Sequence, residues 1–494
     1  HSSTPGGDGT ASKFNARGKS IVDLSGNENS GFRSKHLYVN EKADMRPPYF
    51  VNATVNYSTG LLVIQASEFI DTTPKSLVNL SGIILSSDNQ GYSFNLVGAH
   101  HMEEHDSYTV SIILSEKQRA AALRLSGTPG GDGGAVNIKL KQGSMQDIGQ
   151  NGIIESTVSA LDEYPDTLNP IISNVSINYT TGVLSVYFNE TIDTTPISKV
   201  DLSKLILRND PNSQQGSVSV SGAVVASADE TYVRIYLSEF QRSKSIQISG
   251  LTGGDGSAIL IDAYYGTFQD LSGNPQYDAR GIVVEESPDI RPPTIKGVTI
   301  DYALGQMNVT YSETIRGSVS NSSRFFIGNV SGSKLVRLSS VDLTTRIEPF
   351  QVFVLSENQR IAAQYISKYF DDSPAFLICE MAAYEDVALL PNEFDLGQAM
   401  VELADRSSPV LIASDLYLSN PGLVVLKFNE TMDVTPQADF VHLNYILLNN
   451  RNQSGSDEKL PLLGSTVDQV DSTIVTIRLI ESTRARAVEL SGTP

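Results

Sequence analysis

The sequence predicts an all-β protein built from repeated β-sandwich domains, and three observations support this prediction. At 494 residues, the chain is too long for one hydrophobic core and should divide into several domains. It contains 38 glycines, 21 prolines and few helix-like segments, which favours short strands joined by turns. A long internal repeat recurs along the chain, which indicates tandem domains of one kind.

Each repeat opens on a proline that an aspartate precedes by four residues. The pairs are Asp44 and Pro48, Asp166 and Pro170, Asp289 and Pro293, and Asp405 and Pro409. A strand, a tight turn and a second strand follow, as in Val175–Phe188, where apolar and polar residues alternate on either side of Thr181-Gly182. The predicted segments are residues 1–46, 47–168, 169–291, 292–408 (a divergent copy) and 409–494.

Further landmarks follow in order within the repeat. An acidic turn such as Asn189–Pro196 comes first. The motif Leu237-Ser238-Glu239-Phe240-Gln241-Arg242 then places Ser and Gln at capping-box spacing, so a short helix should begin there. The Gly-Gly-Asp-Gly sequence at 130–133 and 253–256 is interpreted as a turn in which glycine supplies a positive φ. The strands that close the domain should surround Gln269–Asn274.

About six or seven short strands per repeat, separated by regular turn signals, indicate an Ig-like antiparallel β-sandwich, repeated in a linear array. The succession of Phe188–Asp193, Ile246–Gly250 and Gln269–Asn274 resembles the tandem Ig-like repeats of large microbial surface and motility glycoproteins. The resemblance covers nearly the whole chain. It implies a spacer or building block of an adhesin, a filament or a mastigoneme-like appendage.

The composition and motifs argue against several function classes. A net charge of -20, spread along the chain, disfavours nucleic-acid and anionic-membrane partners, and no apolar run is long enough for membrane insertion. The single cysteine, Cys379, lies in an apolar run and is interpreted as a buried strand thiol. The string His101-Met102-Glu103-Glu104-His105 has zinc-ligand spacing but no helical flanks, which favours a polar loop. With no other catalytic motif in the sequence, we predict that the protein is not an enzyme.

The repeated carboxylates are the candidate metal ligands. They resemble the ligands of cadherin-like modules, whose linkers Ca²⁺ stiffens, and oxygen ligands at domain junctions suit that ion. The alternative is that each aspartate starts a turn and each glutamate is solvated. No other cofactor is predicted. The candidates are Asp44, Asp166, Asp289, Asp405, Glu68, Glu190, Glu313 and Glu430.

Numerous Asn-x-Ser/Thr triplets favour a secreted, glycosylated protein, with a bacterial surface protein carrying unused triplets as the alternative. Asn189 and Asn429 occupy the same repeat position, which shared ancestry of the repeats explains. The candidate glycosylation sites are Asn52, Asn56, Asn79, Asn174, Asn178, Asn189, Asn308, Asn321, Asn329, Asn429 and Asn452.

The two terminal segments suggest how the protein assembles. Residues 1–46 carry the closing landmarks of a repeat and residues 409–494 the opening ones, and a sandwich that lacks strands leaves unpaired edges. We therefore expect residues 1–46 of one copy to complete the last segment of another, which builds an extracellular head-to-tail filament. The partners would be copies of the same chain and covalent glycans. The alternatives are pairing of the two segments within one chain, an array cut from a longer one, and a stalk of a larger surface adhesin or glycan-binding protein.

Overall fold

The computed structural model describes residues 2–31, 39–87, 89, 91–103, 105–209, 216–329, 334–339, 342–343, 346–370, 372–451 and 457–491. The candidate site Asn452, residue Glu104 of the histidine-containing string and residues 492–494 lie outside these ranges. The chain divides into two compact units, His1–Asp289 and Ile290–Pro494. Both units consist mainly of antiparallel sheets, which confirms the predicted all-β fold of tandem Ig-like sandwiches.

The first sandwich has one sheet in the order β5-β6-β2-β1-β9 and a second in the order β4-β3-β7-β8. Alternate residues of β1 and β2, including Val55, Leu62 and Ile64, are fully buried between the sheets. The elements are β1 (Phe50–Asn56), β2 (Leu61–Ile70), β3 (Ile83–Ser87), β4 (Ser93–Asn95), β5 (His100–His101), β6 (Ser107–Ile113), α1 (Glu116–Arg124), β7 (Val136–Leu140), β8 (Ser159–Ala160) and β9 (Asp162–Tyr164).

The second sandwich, in the same unit, repeats this topology. Its sheets have the orders β14-β15-β11-β10-β18 and β13-β12-β16-β17. The elements are β10 (Ile172–Asn178), β11 (Val183–Phe188), β12 (Leu205–Arg208), β13 (Val218–Ser219), β14 (Val224–Val225), β15 (Tyr232–Tyr236), α2 (Glu239–Gln247), β16 (Leu260–Ala263), β17 (Ala279–Val283) and β18 (Glu285–Ser287).

The third sandwich, in the second unit, has sheets in the orders β23-β24-β20-β19-β27 and β22-β21-β25-β26. Cys379 is buried at the end of β25, as predicted. The elements are β19 (Ile295–Asp301), β20 (Gln306–Arg316), β21 (Phe325–Gly328), β22 (Lys334–Arg337), β23 (Asp342–Leu343), β24 (Ile347–Val354), α3 (Glu357–Gln364), β25 (Phe376–Cys379), β26 (Asp395–Ala399) and β27 (Val401–Leu403).

The fourth group of strands forms a smaller assembly within the described residues 411–451 and 457–491. One sheet has the order β28-β29-β33-β32 and the other contains β30 and β31. The elements are β28 (Leu411–Tyr417), β29 (Leu423–Met432), α4 (Gln437–Phe440), β30 (Leu447–Arg451), β31 (Asp457–Pro461), β32 (Thr466–Val467), β33 (Ser472–Arg478) and α5 (Glu481–Leu490).

Two local features differ from the antiparallel pattern and the acidic turn that the sequence predicts. The strands β9, β18 and β27 pair in parallel with β1, β10 and β19, so each complete sandwich closes on a parallel edge strand. The predicted acidic turn begins later in three repeats, because β2, β20 and β29 continue through their glutamates; only β11 ends before its glutamate, Glu190. Short 3-10 turns follow in the first three sandwiches, at Lys75–Leu77, Leu80–Gly82, Ile197–Lys199, Leu202–Lys204, Gly317–Val319 and Ser322–Arg324.

The short helices begin where the capping signal predicts. Ser115, Ser238 and Ser356 each accept a hydrogen bond from the backbone N–H of the glutamine three residues on, and that glutamine's side chain accepts from the serine N–H. Helix α5 follows Ile480 instead and has no side-chain cap.

Candidate functional site

The candidate site is the junction between the first and second sandwiches, and its centre is Arg119 of α1. Arg119 forms a two-pronged ion pair with Glu116, one helical turn earlier. Nε lies 2.6 Å from Oε2 and Nη2 lies 2.8 Å from Oε1. The Arg119 side chain is only 8% exposed. This pairing holds the guanidinium group in one orientation at the end of the sandwich.

The terminal nitrogens of the Arg119 guanidinium group also form hydrogen bonds with three separate parts of the chain. Nη1 donates to the Tyr57 carbonyl at 2.9 Å and to Asp166 Oδ2 at 2.5 Å, and Nη2 donates to Glu190 Oε2 at 3.0 Å. Tyr57 follows β1, Asp166 lies between the sandwiches, and Glu190 follows β11. Arg119 thus links the first sandwich, the linker and the second sandwich.

Glu116 also crosses the junction. Its Oε1 accepts hydrogen bonds from the backbone N–H and the hydroxyl of Thr191, at 2.8 and 2.7 Å. The same glutamate therefore orients Arg119 and binds the second sandwich directly. Arg119 and Glu116 thus each contact the second sandwich, Arg119 at Glu190 and Glu116 at Thr191.

The electrostatics of the junction follow from its burial. Burial raises the pKa of Glu190 to about 7, and repulsion from Asp166 and Asp270 adds to the shift although Arg119 opposes it. Burial likewise raises the pKa of Asp270. The ion pairs of Arg119 outweigh its own desolvation and raise the pKa of its guanidinium group, so it stays charged.

The Gly-Gly-Asp-Gly loop packs against the same junction. Gly130 has a φ of +91°, and a Cβ at this position would lie 2.2 Å from the carbonyl oxygen of Leu271 in the second sandwich. Asn274 Nδ2 donates to the Asp166 carbonyl at 3.2 Å and to Asp270 Oδ2 at 2.8 Å. The glycine is therefore required both for the turn and for close contact between the domains.

The second unit contains the same arrangement around Arg360 of α3. Arg360 pairs with Glu357 at 2.7 and 2.8 Å and donates to the Tyr302 carbonyl at 3.1 Å. Its Nη1 lies 2.8 Å from Asp405 Oδ2, and its Nη2 lies 3.5 Å from Glu430 Oε2. Arg360, through hydrogen bonding, lowers the pKa of Glu357 to about 2, whereas burial raises the pKa of Glu430.

The remaining candidate carboxylates occupy equivalent positions. In the first unit, Arg242 of α2 pairs with Glu239 and donates to Asp289 Oδ2 at 2.6 Å. Glu313 lies within β20 and is 8% exposed. All eight predicted residues thus fall at the ends of sandwiches, as their repeat positions require. Arginines pair with five of them, namely Asp166, Asp289, Asp405, Glu190 and Glu430. The sequence analysis did not single out these arginines, although the Glu-x-x-Arg spacing inside the helix-start motif was an available signal.

Two clusters of three carboxylates in the first unit have a geometry that could hold a metal ion. Ligand oxygens of Asp166, Glu190 and Asp270 lie within 4.8 Å of one another, as do those of Asp44, Glu68 and Asp147. In the first group the Arg119 guanidinium already supplies a positive charge to Asp166 and Glu190. Calcium binding therefore stays a prediction.

The predicted glycosylation sites lie mainly at the surface. Asn56, Asn174 and Asn329 are half-buried. Asn189 and Asn429 each accept a hydrogen bond through Oδ1, from Ile171 N–H at 2.7 Å and Val410 N–H at 2.6 Å. That contact leaves Nδ2, the atom that carries an N-linked glycan, outside the bond. The exposed sites are Asn52, Asn79, Asn178, Asn189, Asn308, Asn321 and Asn429.

The histidine-containing string lies on a strand and the loop after it. His101 belongs to β5, and its Nε2 lies 3.1 Å from Glu103 Oε2. Burial lowers the pKa of His101, although Glu103 opposes the shift. Glu103 also accepts a hydrogen bond from the Ser111 N–H at 2.7 Å. Glu103 therefore fits the polar loop that the sequence favoured, whereas His101 does not, because it is buried in β5.

No protein-family model and no curated protein matches the chain. Among solved structures, it is similar to the FN1–FN3 domains of chicken CNTN1, with 7% identity, a TM-score of 0.23, and coverage of 72% of this chain and 100% of that one. It is also similar to the N-terminal eight Ig domains of Down Syndrome Cell Adhesion Molecule, with 9% identity and a TM-score of 0.14. The coverage there is 88% of this chain and 51% of that one, so the chain spans about half of that fragment.

A third similar structure is the S-layer protein rSbsC(31-844), with 7% identity, a TM-score of 0.18, and coverage of 87% of this chain and 62% of that one. Likenesses of this size concern the fold alone. The strands define the class as tandem β-sandwiches, with an arginine–carboxylate junction inside each compact unit. In the part of the chain that the structure describes, each helix is too short or too polar to cross a membrane.

Proposed function

We propose that the chain is a structural subunit of an extracellular glycoprotein filament. In this proposal the N-terminal segment, residues 1–46, of one copy completes the fourth sandwich of another copy. The observation that carries the proposal is that residues 2–31 and 39–46 repeat two loop arrangements from the closing part of a complete sandwich, whereas the strands β28–β33 match the opening part. Each half leaves exposed some of the apolar side chains that a complete sandwich buries.

The first support comes from Glu41. It accepts hydrogen bonds from the backbone N–H groups of Ser3 and Ser12, both at 2.8 Å. In the complete first sandwich, Glu163 accepts from Gly127 and Val136 N–H at 2.9 and 2.8 Å, and so ties the glycine-rich loop to the closing strands. The N-terminal segment thus forms the same tie between its glycine-rich loop and the residues around Glu41.

The second support is the Asp23 loop. Asp23 accepts hydrogen bonds from the backbone N–H and Nδ2 of Asn27, at 2.8 and 2.9 Å. Asp270 accepts the same two bonds from Asn274, both at 2.8 Å. The two loops also share an isolated bridge, Val22 with Glu28 in one and Gln269 with Pro275 in the other.

Burial of exposed apolar side chains would drive the proposed assembly. Ile21 is 64% exposed, whereas Phe268, at the same repeat position, is fully buried. On the opening half, Leu416 of β28 is 41% exposed, whereas its counterpart Val55 of β1 is fully buried. Burying such side chains stabilises an assembly by about 1.5–3 kcal/mol each. A second copy supplies the missing surface to both halves.

The position of the glycine-rich loop in the N-terminal segment agrees with this arrangement. A Cβ on Gly6, with a φ of +81°, would lie 1.6 Å from the Ile148 carbonyl oxygen. Gly130 approaches Leu271 in the same way at the next junction. The loop therefore occupies, on the first sandwich, the place that a preceding sandwich would fill. Because this contact is head-to-tail, repetition builds an open filament rather than a closed pair.

Mass photometry and negative-stain microscopy of the purified chain test the proposal. We expect a ladder of head-to-tail polymers and a shift to monomer when residues 1–46 are deleted. Ile21→Asp should shorten the polymers, whereas Leu304→Asp, at a 66% exposed hairpin tip, is the matched control and should not. A chain that stays monomeric contradicts the filament and favours the stalk or spacer function.

The glycoprotein part of the proposal rests on the exposed Asn-x-Ser/Thr sites. Intact-mass measurement of the protein from its natural source, before and after enzymatic removal of N-linked glycans, tests it. We expect a mass decrease, with glycans at exposed positions such as Asn189 and Asn429. An unchanged mass would remove glycans from the partners and weaken the extracellular assignment.

A further inference from the structure

Helix α5 repeats the arginine arrangement of the junctions, but only in part. Arg484 pairs with Glu481 at 2.7 and 2.6 Å and donates to the Leu418 carbonyl at 2.9 Å. These are the contacts that Arg119 makes with Glu116 and the Tyr57 carbonyl. Among the described residues, no linker aspartate or next-domain glutamate lies within 4.0 Å of Arg484.

The exposure of Arg484 reflects the missing partners. Its side chain is 22% exposed, against 8% for Arg119, and Glu481 is 67% exposed, against 27% for Glu116. The orientation of the guanidinium group is nevertheless set, because the two-pronged pair with Glu481 and the bond to the Leu418 carbonyl are both in place. One half of a junction is thus built and open.

The complementary half lies at the start of the first sandwich. Asp44 and Glu68 hold the repeat positions of Asp166 and Glu190, and Asn151 Nδ2 donates to the Asp44 carbonyl at 3.3 Å, as Asn274 does to Asp166. Within the described residues no Lys or Arg side chain pairs with Asp44 or Glu68 within 4.0 Å. Asp44 is exposed, whereas Asp166 is buried.

In the described part of the chain, the negative charges of Asp44 and Glu68 are not balanced by a paired Lys or Arg side chain. Carboxylate oxygens of Asp44, Glu68 and Asp147 lie within 4.8 Å of one another, so their negative charges repel. A guanidinium group placed between Asp44 and Glu68 would oppose that repulsion, as Arg119 does in part for the equivalent pair. The chain therefore presents an oriented arginine at one end and a matching carboxylate pair at the other.

We infer that Arg484 of one copy forms the ion pairs of the subunit interface with Asp44 and Glu68 of the next copy. The inference rests on the proposed head-to-tail assembly and names the residues that fix its register. The occupant of the Asp44–Glu68 site is a second copy of this chain, because the chain twice builds the same contact internally, around Arg119 and Arg360.

Sedimentation velocity of the full chain over a concentration series tests the pairing. Removing one partner of a desolvated ion pair weakens association by about 30-fold or more, so we expect that loss for Arg484→Gln. Asp44→Asn removes the charge of one of the two proposed acceptors but keeps an oxygen that can accept from the Arg46 N–H, and we expect a loss of roughly tenfold. Arg478→Gln, which breaks a pair within one sheet with the neighbouring Asp468, is the control and should leave association unchanged.

The double variant Arg484→Gln with Asp44→Asn separates direct pairing from two independent effects. If the two side chains pair across the interface, the double variant associates about as weakly as Arg484→Gln alone. If the losses of association in the two single variants multiply in the double variant, the direct pairing is wrong. It is also wrong if each single variant associates as strongly as a polymerising wild type. Neither result contradicts the filament. A wild-type chain that does not associate overturns both.

Discussion

Replacing Arg119 by Gln should loosen the junction between the first two sandwiches. The substitution keeps much of the side-chain length but removes the charge that neutralises Asp166 and Glu190, whose side chains are 1% and 7% exposed. These carboxylates cannot regain water without opening the junction. Breaking a buried pair by removing one partner costs about 3–5 kcal/mol.

Protonation of Glu190 determines where in that range the free-energy cost of Arg119→Gln lies. The pKa of Glu190 is already about 7 with Arg119 in place, so without Arg119 this carboxyl takes up a proton near neutral pH and avoids part of the penalty. We therefore expect about 3 kcal/mol at pH 7. The deficit should shrink towards pH 5 and grow towards pH 8, because the native variant keeps a proton on Glu190 that the native wild type releases as the pH rises through about 7.

Hydrogen exchange is the suitable assay, because a chain with several cores does not unfold in one step. The backbone amides of α1 and of Thr191 should exchange faster in Arg119→Gln, whereas those in the centre of β2 should not. Arg124→Gln is the matched control, since Arg124 is 43% exposed and pairs with Asp229 at 3.1 Å; it should cost less than about 1 kcal/mol. Equal effects of the two variants would refute the role given to Arg119.

Three further outcomes are expected. The stability of the wild type should fall by up to about 3 kcal/mol between about pH 5 and pH 8, because the native pKa of Glu190, near 7, lies above the usual 4.5. Glu190→Gln should remove this fall. Urea unfolding of both proteins at several pH values checks this, and parallel curves contradict it. Gly130→Ala should cost about 1–3 kcal/mol more than Gly133→Ala, since both glycines have a positive φ but only the Gly130 Cβ would meet Leu271; a thermal melt in which the two variants coincide rejects the contact. Burial raises the pKa of the Cys379 thiol, so alkylation should follow global unfolding, and rapid labelling of the native chain would show the opposite.

Local signals in the sequence account for the elements that it predicts well. Alternation around Thr181-Gly182 predicts the β10–β11 hairpin because a strand exposes every second side chain to the core, whatever surrounds it. The Ser238–Gln241 spacing predicts the start of α2 because a capping box closes within four residues. The repeat likewise places Asp166 and Glu190 at the end of a domain. All of this information lies within short stretches of chain.

What only the tertiary structure decides involves residues that are distant in sequence. Arg119 reaches Asp166 across 47 positions and Glu190 across 71, and no local pattern ties an arginine of a helix to a particular carboxylate so far away. The parallel pairing of β9 with β1 is equally non-local. The sequence by itself thus determined the modules and the positions of their acidic residues. The tertiary structure decided that an arginine occupies the junction, because burial makes the ion pair worth its desolvation only where both sandwiches exclude water.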